Sequence, residues 1–275
     1  MSLSSSQLRR ELSARGLALE REHETTYGRD DLHTPSVVFQ EDELGQHGNF
    51  HPSSYRRILA NAAWAARLAK AYTASSRVAH AGARQRRELD CANSSDALLM
   101  NIVCYPGLLS RPQVCALLGI PTGLTPEFGV RMEAPQHGTR SDRSEVDLVL
   151  GHLLIEAKLT ETGFQTARPA LVERYRDLEE VFLREDLPRN TRGDYHHYQL
   201  LRGALAAHHT GKTYLVLCDA RRSDLREAWF QIIRCVRTAD LRSRLALLTW
   251  QELAATVPKG LAAFLEKKYG IMAGW

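Results

Sequence analysis

Residues 145–159 read Glu-Val-Asp-Leu-Val-Leu-Gly-His-Leu-Leu-Ile-Glu-Ala-Lys-Leu, two apolar runs parted by Gly151-His152. A two-residue connection with glycine in first place suits a type II′ turn, so the stretch is expected to fold back on itself as a β-hairpin. Pairing Leu150 with Leu153 across the turn sets Asp147 opposite Glu156 and Glu145 opposite Lys158. Side chains alternate along a strand, so these four charged groups share one face. Val146, Leu148, Leu150, Leu153, Ile155, Ala157 and Leu159 take the other, which is predicted core.

Two carboxylates facing each other suit one small hard cation. Oxygen donors favour Mg²⁺ or Mn²⁺, and Mg²⁺ is commonly held by one or two carboxylates while water and phosphate complete its shell. Such an ion polarises phosphate oxygens and acidifies bound water. Lys158, two residues beyond Glu156, could orient or deprotonate that water and offset charge in the transition state. The plainer alternative is a half-exposed hairpin with a Glu145–Lys158 cross-strand pair, an arrangement worth little. Against it stands the unbroken apolar run from Leu153 to Ile155, which points to a strand covered on both sides, where unpaired carboxylates are costly. Lysine is also scarce, with only six among 36 basic residues.

Asp147, a gap of eight residues, then Glu156-Ala157-Lys158 closing an apolar strand resembles the PD-(D/E)XK signature of restriction-endonuclease-like nucleases. Ser94-Ser95-Asp96-Ala97, the Glu-Ala-Lys-Leu-Thr-Glu run ending at Glu161, and Tyr198-Gln199-Leu200-Leu201-Arg202 are similar to a little-characterised bacterial branch of that superfamily. The resemblance spans about residues 40–252 and is densest over 145–202. One departure is that Val146-Asp147 replaces the proline-aspartate pair of the name, which leaves the acid in place. The resemblance implies a mixed α/β fold with helices around a central sheet, a DNA substrate, and a divalent metal. It further implies that Gln199 supports the metal or the attacking water, and that Asp96 or Glu88, from a helix before the sheet, assists the metal.

The rest of the chain is read outward from this hairpin. With 275 residues and 44% apolar content it can bury one large core, and the economical architecture is a single α/β domain with an N-terminal helical extension. The divisions expected are a helical extension over residues 1–90, a nuclease-like core over 91–257 and a closing helix over 258–275. No 18-residue apolar run and no signal-like N-terminus are present, so a cytoplasmic protein is expected. Five cysteines without CxxC spacing exclude a disulfide scaffold and a zinc finger. A net charge of +4 permits nucleic-acid binding without demanding it.

Toward the N-terminus, Leu8, Leu12 and Leu19 suggest a solvated amphipathic arm. His47 and His51 lie four apart, but Gly48 and Pro52 place them in a loop rather than on a metal-binding helix face. Ser53 or Ser54 is expected to cap a helix reaching Tyr72, and Arg77, Arg84, Arg86 and Arg87 follow as phosphate contacts or solvated charges. Ser94 opens a helix through Cys104; Ser110, Pro112 and Gly119 punctuate the next. Asp96 in the first turn there also suits the helix dipole.

Glu127–Ala134 reads as the first strand, with Glu133 on the face that could reach the metal. Arg140 and Arg143 ride on a polar flap beside it. Beyond the hairpin, a long charged helix is predicted from Arg168 to Arg184, then a second from Tyr195 to His209 ended by Gly211. On that second helix Gln199 and Arg202 share a face, and the adjacent histidines 196, 197, 208 and 209 point apart. Strands follow at Lys212–Cys218 and Leu245–Thr249. Between them Arg221–Arg244 carries seven arginines against three acids and offers a backbone-tracking surface, with Trp229 and Phe230 read as core.

These features favour a Mg²⁺-dependent phosphodiesterase acting on DNA, with Asp147, Glu156 and Glu133 toward the metal and Lys158 and Gln199 toward the water. The same fold kept as a nucleic-acid-binding or protein-interaction module without turnover is the alternative. Cutting both strands of a duplex calls for two active sites, which a homodimer would supply.

Overall fold

The computed structural model describes residues 2–26, 36–71, 87–138, 141–142 and 144–274. It divides into a sheet unit, residues 1–3 and 125–249, and a helical unit, residues 4–124 and 250–275. Among the described residues no helix is long and apolar enough to cross a membrane.

The sheet unit is built on five strands, β1 (Glu127–Arg131), β2 (Glu145–Leu150), β3 (Leu153–Ala157), β4 (Thr213–Cys218) and β5 (Leu245–Thr249), in the spatial order β5-β4-β3-β2-β1. The β1–β2 and β2–β3 pairs are antiparallel, and β3–β4 and β4–β5 are parallel. It is thus a mixed sheet, flanked by helices, as in restriction-endonuclease-like folds. Leu150 pairs with Leu153 and Leu148 with Ile155, the register expected. Gly151 has φ +60 while His152 is not among the positive-φ residues, which selects type II′ over type I′.

All seven residues assigned to the core face of the hairpin are buried, but Val146 packs with Leu154 and lines the cleft of Glu156, so it lies on the face opposite to the one read for it. Leu154, Glu156 and Lys158 are buried on that second face too. That second face packs into a core with Phe164, Tyr175, Leu201, Leu205, Tyr214 and Trp229. Helix α1 (Tyr198–Thr210) and helix α2 (Ser223–Ile233) supply much of this cover. Gly203 on α1 sits against the Tyr214 ring so tightly that any side chain there would overlap it.

The helix predicted over 168–184 does not form. Two single-turn helices, Pro169–Val172 and Leu178–Val181, stand in its place. The backbone between them is used elsewhere: Gln136 bridges to Tyr175, His137 N–H donates to the carbonyl of Arg174, and Arg176 N–H donates to that of Pro135. Likewise α1 begins at Tyr198, because Tyr195–His196 pairs as a strand with Thr166–Ala167. The 221–244 stretch holds α2 and a short helix, Ala239–Ser243, rather than one helix. β1 ends at Arg131, short of Ala134.

In the helical unit, Ser5–Leu17 is a capped helix whose Leu8 and Leu12 are buried, so it is a core element and not a solvated arm. The predicted 53–72 helix is two helices, Pro52–Leu59 and Ala62–Arg67. Their caps are His51 and Asn61, whose side chains accept backbone N–H groups and break the run at Asn61. Ser94 caps Ser95–Val103 as read from the sequence, and Gly119 closes Pro112–Leu118 with φ +65. All five cysteines are buried and unbridged.

Candidate active site

The two strands of the hairpin part where the chemistry was expected. β2 pairs with β1 through Glu145, Val146, Leu148 and Val149, and with β3 through Leu148 to Leu150, so Asp147 stands between the ladder pairs. Its carboxylate takes over as an acceptor: Ala157 N–H donates to Asp147 Oδ2 at 2.8 Å. Glu156, still paired to Val216 on the β4 side, is 4% exposed. One oxygen of Glu156, Oε1, receives Lys158 Nζ at 2.7 Å and Gln199 Nε2 at 2.9 Å. Asp147, Glu156, Lys158 and Gln199 are therefore brought together in one place.

Lys158 is only 5% exposed. Burial by itself would lower its pKa, but the charges of Glu156, Glu161 and Asp147 and the hydrogen bond to Glu156 outweigh burial and hold it above the ordinary lysine value. The side chain is an ammonium in these surroundings. It donates hydrogen bonds and attracts negative charge. The pairing is with Glu156, not with Glu145, which lies exposed opposite Arg131 at the far end of β2.

Gln199 reaches Glu156 because α1 starts abruptly. Gln165 and His197 both have left-handed backbone, φ +60 and +59, a conformation that costs about 1 kcal/mol or more for residues with a side chain. They are held there by mutual bonds: Tyr198 N–H donates to the carbonyl of Gln165 at 3.1 Å, and Gln199 N–H to that of Phe164 at 3.0 Å. His197 Nε2 also meets Gln231 Oε1 at 3.0 Å, and burial lowers the pKa of this imidazole first of all. Phe164 completes the seat, with its ring 5.8 Å from Lys158 Nζ. Arg202, one turn along α1, lines a small cleft with Glu156, Gln199, Gly203 and Tyr214.

The segment after Lys158 is fixed by a residue that sequence reasoning treated as surface charge. Arg222 is 0% exposed. Its guanidinium grips Asp224 through two bonds of 2.8 Å and donates to the carbonyls of Leu159, at 3.0 Å, and Glu161, at 2.8 Å. Glu161 Oε2 in turn accepts Leu159 N–H at 2.6 Å. A run of two arginines before a helix carries no local sign that one is buried; only its neighbour Asp224 hints at a partner.

The other expected residues have surroundings of their own. Glu133 is exposed beyond the end of β1. Among the described residues no three of His, Cys, Asp and Glu form a metal-holding group, so Glu133 does not complete a triad with Asp147 and Glu156. In the helical unit Asp96 accepts Arg67 at 2.9 Å and Lys70 at 2.8 Å, and Lys70 also meets Glu88 at 3.2 Å. His47 pairs with Asp90 at 3.3 Å and His51 caps its helix, so neither serves a metal. Arg77, Arg84, Arg86, Arg140 and Arg143 lie outside the described residues; Arg87 is exposed.

Whether the residues fit a divalent cation follows from the donors. Asp147 and Glu156, both hard oxygen donors, stand at a break in the sheet beside the Lys158 ammonium. The Tyr214 hydroxyl, fully buried beside Glu156 in the same cleft, has no hydrogen-bond partner among the described residues. Two carboxylate donors together with a buried hydroxyl suit Mg²⁺ or Mn²⁺ with water in its shell.

A family model described as restriction endonuclease associating with ARP matches residues 21–270 of the chain. No curated protein and no solved structure gave a match.

Proposed function

The chain belongs to the family of restriction endonucleases associating with ARP, and on that footing we propose that it is a Mg²⁺- or Mn²⁺-dependent endonuclease that hydrolyses phosphodiester bonds in DNA. The observation that carries the reading is the convergence on Glu156 Oε1 of Lys158 Nζ and Gln199 Nε2, beside an Asp147 carboxylate tied to the intervening Ala157. Asp147 and Glu156 are the residues that would hold the metal. When bound, a hard divalent cation supplies Lewis-acid polarisation of the phosphate and a more acidic water.

The chain's own groups set the rest. Ala157 N–H fixes the rotamer of Asp147, and the Gln199 amide fixes that of Glu156, so neither carboxylate reorganises when substrate arrives. Lys158 is protonated, and it orients the attacking water as a donor and meets the charge that grows on the phosphate oxygens. Being an ammonium, it leaves proton removal to another base or to solvent. Arg222 and Glu161 hold the backbone on which Lys158 sits.

The test is calorimetric titration of Mn²⁺ into the wild type and an Asp147→Ala, Glu156→Ala double variant, followed by incubation of both with linear and covalently closed circular DNA. Metal binding and cleavage lost together support the reading, and cutting of the circle establishes internal cleavage. A folded wild type that binds no metal with or without DNA, and cuts neither form, overturns it.

A further inference from the structure

Helix α2 carries an aromatic side chain where no packing calls for one. Trp229 is buried at 5% exposure, as expected of a core residue, but its neighbour Phe230 is 66% exposed, contrary to its reading as core. Arg226 and Arg234, four residues before and after it, are also exposed. Positions four apart lie on one face of a helix, about 6 Å of rise between them, so the order along that face is arginine, phenylalanine, arginine. Glu227 shares the neighbourhood and offsets one of the two charges.

The helix that carries the stripe is tied to the start of α1, which carries Gln199. Gln231, next to Phe230, is bonded at 3.0 Å to His197, the residue that immediately precedes α1. Two residues further on, Gln199 holds Glu156.

We infer that the Arg226–Phe230–Arg234 face is a binding surface for unpaired DNA, a deepening that rests on the nuclease reading above. An exposed ring in water loses little by accepting a base, and base stacking on an aromatic side chain is sequence-tolerant because every base has a flat face. Only an unpaired base can offer that face to the side of a helix; in an intact duplex it is covered by its neighbours. A base stacked on Phe230 has a guanidinium on each side of it along the helix axis, matching the phosphates that flank a nucleotide on both sides. Of the other arginines of the stretch, Arg222 is internal, Arg221 is tied to Asp219 at 2.8 Å, Arg237 and Arg244 donate to backbone carbonyls, and Arg242 stands on the separate helix Ala239–Ser243.

The test is fluorescence anisotropy with labelled single-stranded oligonucleotides and blunt duplexes of the same sequence, in EDTA so that nothing is cut, on the wild type, Phe230→Ala and Arg226→Ala/Arg234→Ala. Because Phe230 is exposed, Phe230→Ala is expected to melt with the wild type. Its affinity for the single strand should fall roughly 10-fold, clearly more than for the duplex. The double arginine variant should lower the slope of log affinity against log salt by about 1.4 for the single strand. A Phe230→Ala protein that loses nothing, loses equally on both forms, or a wild type that does not bind single strands, overturns the inference. Metal-dependent cleavage by the same preparations is scored separately, so a protein that binds through Phe230 but never cuts would refute the nuclease reading and leave the surface standing.

Discussion

Lys158 Nζ lies 2.7 Å from Glu156 Oε1, an ion pair between residues two apart at the end of the central strand β3, with both side chains nearly sealed from water. Alternate residues of a strand face the same way, so the pair is a direct product of the strand conformation. Its placement has a thermodynamic consequence. Removing one partner strands the other charge in a low-dielectric setting, whereas removing both need not cost anything.

Lys158→Met is therefore expected to abolish metal-dependent cleavage, by roughly 10²-fold or more, and to lower stability by about 3 kcal/mol. The double variant Glu156→Gln, Lys158→Met should regain most of that stability and none of the activity. Urea unfolding followed by circular dichroism checks the first statement and a plasmid-nicking assay the second. The neighbouring carboxylates hold the lysine pKa above its ordinary 10.5. A group raised in the folded state contributes fully below its unfolded pKa and loses that contribution as pH climbs through the folded one. The stability gap between wild type and Lys158→Met should then be flat between about pH 6 and 9 and close only in stronger alkali.

Lys268 makes the opposite prediction. Its amine is buried without a hydrogen-bond partner among the described residues, 4.4 Å from the centre of the Phe39 ring and 4.8 Å from that of Tyr269. The ring faces favour the cation, but burial prevails and pushes its pKa from 10.5 down to about 7. Below the folded value both states carry the proton and the folded protein bears the full cost of burying the charge. Above it the unfolded chain binds more protons, so stability rises with pH until about 10.5. Lys268→Met should stabilise the protein by about 1–4 kcal/mol at or below pH 7. That gain should shrink steadily in denaturant titrations repeated toward pH 10.

At Gly203 the ordinary helix preference is expected to invert. Alanine is the better helix former by about 1 kcal/mol, yet a methyl group here would overlap the Tyr214 ring. Gly203→Ala should lower stability by roughly 1–3 kcal/mol and shift α1 away from the sheet. Gln199 rides on that helix, so a fall in cleavage beyond the fall in folded fraction would show the shift reaching Glu156. An unchanged melting temperature would mean that α1 has room to move.

Arg222→Lys retains the charge but lacks the forked donors that join Asp224 to two carbonyls. Turnover should drop about 10- to 100-fold with little change in DNA affinity, as for supports that orient a ligand without touching substrate. Comparing anisotropy binding curves with single-turnover rates separates the two. Full activity in the lysine variant would make the carbonyl contacts dispensable.

The parts of this structure legible in the sequence are those set by local periodicity. The hairpin register followed from alternation and one glycine, the strand at 213–218 from its β-branched and aromatic residues and that at 245–249 from a short apolar run, and Ser94 and Gly119 from cap chemistry. Placement of Gln199 came with the family resemblance and not from spacing alone. What escaped was decided by distant chain. The segment from Arg174 to Arg176 has a helical composition, but its backbone groups are claimed by residues 135–137. Tyr195 is drawn into a strand by Thr166–Ala167 before a helix can include it. Arg222 and Phe230 exchange their usual places, the cation inside and the ring outside, and although Asp224 is close in sequence to Arg222, the carbonyls that complete its buried seat, those of Leu159 and Glu161, are 63 and 61 residues away.

The break in the sheet at Asp147 bears on how such a protein can lose its activity. One carboxylate oxygen stands in for the strand carbonyl that would otherwise receive Ala157 N–H. Asparagine at this position keeps an oxygen for that bond and gives up the charge; alanine gives up both. A silent descendant is therefore reachable in a single step that leaves the architecture whole, provided the replacement still accepts a hydrogen bond. Among relatives released from cutting, asparagine at this position is the residue to look for first, a scar that records former chemistry in a fold that has no further use for it.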